Sequence, residues 1–363
     1  MSVLDCMTPC YIVDSDIFSG NLAAFREAFA RYWDGSISFG YSIKTNHSPV
    51  FLDLAKQLGM YAEAVSGDEY YASVLSGYAP KEIIFNGPQK SENLLSELFP
   101  TECIINFDNV QDILALKNYV SKGLAVKAKI GLRVNFDMES RCPGEMTAGP
   151  EVSRFGFCVE NGDVAAAIAE IHRLGIPVSG LHMHYSSKTR SENVFRELAS
   201  MAAQLVEIHN ISQEVTFIDI GGGFFYGRNT FAQGKPALDS YARVITEELK
   251  RVLLPEKIML ILEPGAALIS TAVTYHTSVI NQRFIRGIKI LTLDGSRLHI
   301  DPFMTGRKAL CDISYSGTNR RDIVPTQILC GSTCMENDRI IELREYEEVS
   351  ISVSFCHIPR INI

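Results

Sequence analysis

The sequence predicts an α/β architecture: a closed, TIM-like parallel (β/α)8 barrel followed by a β-rich domain. Short runs rich in β-formers alternate with longer runs of helical period. The alternation repeats eight times before Leu268, then gives way to strand-like runs with few helices between them. Eight near-equal strand–helix units favour a closed barrel, with an open doubly wound sheet as the structural alternative. With 363 residues, 46% of them hydrophobic, the chain can bury a large core and a smaller second domain.

In order, the candidate strands are 37–44, 61–66, 83–86, 103–108, 128–135, 178–185, 215–220 and 258–263. Helical periodicity fills the gaps over 49–58, 68–75, 91–98, 110–119, 163–174, 192–209 and 237–253. Beyond these, 273–280, 287–293, 323–330 and 347–355 read as strands. The barrel is therefore expected over 27–270, and 1–26 with 271–363 are assigned to the β domain. No Gly/Ser-rich or Pro-rich linker separates them.

Net charge is -8 and no Lys/Arg-rich block stands out, which argues against a nucleic-acid partner. Nine cysteines are scattered without CxxC pairs, so neither a metal knuckle nor a disulfide framework is expected. The N-terminal residues lack the basic and apolar segments of a signal peptide, and no apolar stretch is long enough to span a bilayer. A cytoplasmic protein without a membrane partner is the expectation.

Chemistry concentrates at the ends of candidate strands, where barrel enzymes gather their loops around a ligand. Lys44 ends the first strand, in Tyr-Ser-Ile-Lys-Thr-Asn. It is either a surface lysine or a partly desolvated amine that loses its proton readily and forms an imine. Gly221, Gly222 and Gly223 follow the seventh strand. They form either an ordinary turn or a nest of N–H groups suited to a phosphate. Glu263, fixed by Pro264 and Gly265 at the end of the eighth strand, could salt-bridge at the rim or bond a heterocycle nitrogen. Alternation puts His182 and His184 on one strand face. No third ligand with suitable spacing is evident, so a stacking or hydrogen-bonding histidine is favoured over a metal pair. Cys334, in a Gly/Ser loop, is either an inert buried residue or an acid or nucleophile tuned by its surroundings.

Taken together, these segments resemble the fold-type III pyridoxal-phosphate (PLP) decarboxylases, the group of diaminopimelate, ornithine and carboxynorspermidine decarboxylases. The matching stretches are Thr8-Pro9-Cys10-Tyr11, 41–46, 64–69, Ser153-Arg154-Phe155-Gly156, 180–187, 219–224, Glu263-Pro264-Gly265 and 331–334. They run in the family's order, and Gly-Leu-His-x-His is most similar to the diaminopimelate branch. The resemblance implies an alanine-racemase-like barrel and pyridoxal 5'-phosphate held by Lys44 as a Schiff base. It further implies that His184 stacks on the ring, that Ser187 and Gly221–Gly223 hold the phosphate, and that Glu263 faces the pyridine nitrogen. Arg154 and Glu69 match positions lining the site. Cys334 would protonate the product carbanion across the interface of a homodimer. The function so implied is α-decarboxylation of a small amino acid, placed in lysine biosynthesis by the diaminopimelate likeness.

The departures concern the substrate's far end. Ala266 stands where diaminopimelate decarboxylases have arginine, Asp301-Pro302 replaces an Arg-Pro pair, and Met335 replaces an acidic residue after the cysteine. Each lost charged contact is worth roughly 1.5–3 kcal/mol. Arg307 or Glu336 could take over such contacts. The C-terminal residues 352–363 also depart from the family, lacking a Gly-Ala-Tyr-like loop, and part of the β domain is expected to be left unpaired. Other readings are a decarboxylase of a different diamino acid, of a carboxylated polyamine or of an amino-acid conjugate. A PLP racemase-like enzyme and an inactive PLP-binding homologue complete the set, although Glu263 argues against the racemase.

Overall fold

Hydrogen bonding closes the first sheet on itself. The computed structural model describes residues 7–149, 152–226, 237–301, 310–314, 322–349 and 352–356. The chain divides into two units, Gly20–Ala267 and Met1–Ser19 with Leu268–Ile363. It opens with β1 (Cys10–Val13) and α1 (Ser15–Ala30). The barrel then runs through β2 (Ile37–Ser42), β3 (Tyr61–Ala64), β4 (Ile83–Phe85), β5 (Ile104–Phe107) and β6 (Lys129–Asn135). A two-residue strand, β7 (Phe157–Cys158), adds to β6, and β8 (Gly180–His182), β9 (Phe217–Asp219) and β10 (Met259–Leu262) complete the ring. Every ring pairing is parallel, and β10 pairs with β2, so the barrel is closed rather than an open sheet.

The helices between the strands are α2 (Pro49–Gln57), α3 (Gly67–Leu75), α4 (Glu92–Leu98), α5 (Val110–Ser121), the single turn α6 (Met138–Arg141), α7 (Asp163–Arg173), α8 (Glu192–Ile208) and α9 (Leu238–Leu249). Local chemistry sets where they start. Ser66, Ser91, Asn109 and Ser191 cap α3, α4, α5 and α8, each accepting a bond from a first-turn N–H. Pro49 opens α2, where its missing N–H costs nothing.

The barrel floor is packed by shape. Ile84, Ile104, Phe217 and Ile261 form one buried cluster. Gly131 and Gly180 make room for the Phe217 ring: a Cβ on either would come within 2.8 or 2.5 Å of it. Large and small residues thus alternate across the interior, as close packing requires.

In the other unit, α10 (Ala266–Ile269) leads to β11 (Val273–Ile285), β12 (Ile288–Leu293), β13 (Leu310–Ser314), β14 (Ile323–Cys330), β15 (Arg339–Glu347) and β16 (Ser352–Cys356). The sheet order is β13-β16-β11-β12-β14-β15, with β1 also on β11. The sequence expectation of an unpaired C-terminal part does not describe β16, which pairs antiparallel with both β11 and β13. The expected strand over 347–355 instead takes in the last residue of β15 and most of β16. β1, α1, β13 and β15 were not anticipated. The charged pattern of β15, Arg-Ile-Ile-Glu-Leu-Arg-Glu-Tyr-Glu, hides an edge strand behind a polar composition.

Filling the space left for the Phe217 ring is expected to destabilise the barrel. Gly180→Val should cost about 1–3 kcal/mol by overpacking and Phe217→Ala about 3–5 kcal/mol by leaving a cavity, read as shifts in urea midpoint. A change below about 0.5 kcal/mol for both would contradict this packing.

Candidate active site

The strand ends converge on one cavity of about 870 Å³ in the barrel unit. Its lining includes Lys44, Glu63, Asn86, Arg133, His182, His184 and Glu263, which come from six different strands or the turns after them. Such convergence at the C-terminal strand ends is what parallel barrels provide.

Lys44 does not continue β2 as the expected strand 37–44 implied. It sits in a 3-10 turn, Ile43–Thr45, that lifts its side chain out of the ladder. Its amine lies 2.8 and 3.0 Å from the two oxygens of Glu63, whose side chain is fully buried while that of Lys44 is 44% exposed. Ser42 donates a further hydrogen bond to Glu63, and Asn86 Nδ2 donates to it at 3.2 Å. Desolvation works to lower the Lys44 pKa, but the Glu63 and Glu263 charges outweigh it and hold the amine above its ordinary value. This corrects the expectation of a lysine that sheds its proton through burial alone.

Asn86 also donates to Glu263, and Asn106 donates to Asn86 Oδ1 at 2.7 Å. One polar chain therefore links Lys44, Glu63, Asn86 and Glu263 across the site. On the other side of Glu263 lies Asp219, fully buried, whose Oδ1 accepts from Gly221 N at 2.8 Å. Burial and the Glu263 charge push its carboxyl well above the usual range, which favours the protonated form. His182 Nε2 is 3.7 Å from Glu263. The donor atoms of His182, Asp219 and Glu263 all lie within 4.8 Å of one another, a grouping that the spacing of the histidines did not suggest.

Both histidines face this cavity, with ring centroids 6.2 Å apart and planes 14° apart. Burial, helped by the Lys44 and Arg133 charges, holds both well below the ordinary histidine value, so they are neutral. Gly222 N donates to His184 Nδ1 at 3.1 Å, which leaves the ring proton on Nε2. Neither ring nitrogen of His182 has a hydrogen-bond partner among the described residues, although the residue is 2% exposed. Two amides of the glycine triplet are thus already bound to side chains. Gly221 is held in left-handed backbone, and a Cβ there would come within 2.6 Å of the His184 ring.

Other expected residues are placed as follows. Arg154 lines the cavity, and its guanidinium lies 4.4 Å from the Phe155 ring centroid, as does that of Arg133 on β6. Ser187 accepts a hydrogen bond from Arg190 N at 2.9 Å. Pro264, Gly265 and Ala266 follow Glu263, and a Cβ on Gly265 would come within 2.2 Å of Thr45 Oγ1. Glu69 is drawn into the start of α3, where its carboxylate accepts from Val65 N at 2.7 Å, and it does not line the cavity. Cys334, Met335 and Glu336 form an exposed loop of the β-rich unit, so Cys334 is not the buried thiol of the alternative reading. Arg307 lies outside the described residues. The sequence reading missed Glu63, Asn86 and Arg133. The signal was there: Glu63 and Asn86 lie in or just after short, otherwise uncharged strands, and Arg133 stands between Leu132 and Val134 in the buried part of β6.

Residues 18–270 match the family described as pyridoxal-dependent decarboxylase, pyridoxal binding domain. The diaminopimelate decarboxylase of Aquifex aeolicus is 28% identical over 277 residues, 75% of this chain and 62% of that protein. That of Methanocaldococcus jannaschii is 26% identical over 274 residues, 73% and 62% of the two chains. The chain spans 62% of the length of each of these curated relatives. A crystal structure of the diaminopimelate decarboxylase from M. jannaschii in co-complex with L-lysine superposes with a TM-score of 0.82 at 23% identity. The superposition covers 97% of this chain and 82% of that one, and shows a shared fold. Among the described residues, no helix is long and apolar enough to cross a membrane. The family match extends over most of the chain, which belongs to the pyridoxal-dependent decarboxylases.

Proposed function

We propose that this chain is a PLP-dependent α-decarboxylase acting on a small amino acid with a polar group at its far end, such as a diamino acid, in the cytoplasm and as a homodimer. The observation that carries the reading is Lys44: an amine paired to a buried carboxylate at the wall of a cavity that also holds Glu263 and two neutral histidines. The residues suit the cofactor. His182 offers buried ring nitrogens without partners, and the close approach of Gly221 to His184 leaves no room for a side chain between loop and ring.

When bound, pyridoxal phosphate supplies an electron sink for the pair released as the bond to the carboxylate carbon breaks. Lys44 would hold the aldehyde carbon, and Glu63, paired to it at 2.8 Å, would keep the amine oriented and take up its proton. His184, its ring fixed by the Gly222 N–H, would pack against the heterocycle. Glu263, held by Asn86, would face the pyridine nitrogen and would favour its protonated form. Ser187 and the loop of Gly221, Gly222 and Gly223 would take the phosphate, with Pro264, Gly265 and Ala266, which follow the neighbouring strand β10, beside that loop. Arg154 borders the same space. Cys334 of the partner subunit delivers the proton that replaces CO2.

With PLP-loaded protein, CO2 release from at least one of diaminopimelate, lysine, ornithine and arginine is expected, and Lys44→Ala should lower it roughly 100-fold or more. Full activity in that variant would dismiss the mechanism, and deuterium exchange at the α-carbon without CO2 would favour racemisation. The sign of the Lys44 shift gives a second test. Removing the Glu63 charge takes away what holds the amine protonated, so in Glu63→Gln the pH midpoint of PLP capture should move down. An unchanged or raised midpoint would show that Glu63 does not govern that proton.

A further inference from the structure

We propose that the far end of the substrate side chain carries an ammonium or guanidinium group and no carboxylate, with Glu139 as its partner. This rests on the decarboxylase reading and narrows it. Beyond Lys44, the cavity is walled by the segment that follows β6, and there Asp137, Glu139 and Glu160 face a single guanidinium of that segment, Arg154. Arg133, the other arginine of the lining, is paired with Asp108 at 3.4 Å. The wall is therefore an anionic field, and like charge brought against it is repelled.

Two of these carboxylates serve local structure. Asp137 accepts from Ser140 N at 3.1 Å, a bond that lowers its pKa and keeps it ionised. Glu160 accepts from Asp137 N at 2.9 Å and from the Cys158 thiol at 3.3 Å. Glu139 is different. Its Oε1 accepts from Gly144 N at 2.6 Å, while Oε2 is buried and has no hydrogen-bond partner among the described residues. A buried carboxylate oxygen without a donor is costly, and a cationic N–H from a ligand satisfies it. That the cavity takes a ligand is indicated separately by His182, whose two ring nitrogens are also buried and unbonded. Ala266 adds to the contrast, since no guanidinium stands after Pro264-Gly265 to receive a distal carboxylate.

The test is a comparison of substrates and of amines on the PLP-loaded protein. CO2 release from lysine, ornithine and arginine is expected to exceed that from diaminopimelate at least about 10-fold in kcat/KM for the best of the three. Glu139→Gln keeps the acceptor for Gly144, so its melting temperature should be unchanged. Its kcat/KM for that substrate should fall about 10- to 100-fold, mainly through KM, as expected for loss of one charge-assisted contact. Calorimetric titration gives a readout independent of turnover. Cadaverine should bind more tightly than δ-aminovalerate, which bears a carboxylate at the far end, and Glu139→Gln should erase the difference. Preference for diaminopimelate, or equal binding of the two amines to the unaltered protein, would overturn the proposal. Failure of the decarboxylase reading looks different: CO2 would come from no amino acid, while the preference between the two amines would persist.

Discussion

The pairing of Lys44 with Glu63 is the interaction around which the site is organised. A carboxylate with no solvent exposure is tolerable only if its charge is matched and its lone pairs are filled. Here Lys44, Ser42 and Asn86 do both. The same Asn86 then reaches Glu263, so the geometry of one acid constrains that of the other across the barrel. Because β2, β3, β4 and β10 are consecutive around the ring, the closed barrel brings these groups together at neighbouring strand ends.

The charge balance follows from that arrangement. Three acids, Glu63, Asp219 and Glu263, crowd the floor of the cavity with Lys44 and Arg133 as the nearby cations. Desolvation and mutual repulsion leave Asp219 as the acid pushed toward its neutral form. The histidines, buried beside those cations, stay neutral and act as shape and hydrogen-bonding groups instead of charges.

Much of this was legible in the sequence. The eight barrel strands and seven of the helices between them fall where the periodicity put them, because strands buried between helices read as short apolar runs. Lys44, His184 and Glu263 were visible because strand ends in a parallel barrel point to one place. What escaped depended on through-space partners. Glu63 lies inside a four-residue strand and gains its meaning only from the neighbouring β2. Glu69 looked like a site residue by motif, yet the competition for its carboxylate is won by the backbone at the start of α3. The glycine triplet was read as a free nest, whereas Asp219 and His184 already take two of its N–H groups. Glu139 carried no sequence signal, since an orphaned oxygen is visible only once burial is known.

The central claim is that Lys44 is the residue that carries the cofactor. Borohydride treatment of PLP-loaded protein, followed by peptide mass spectrometry, tests it most directly. A pyridoxyl-phosphate mass addition is expected on the peptide containing Lys44 and on no other lysine peptide. An unmodified Lys44, or the same addition located on a different lysine, would contradict it.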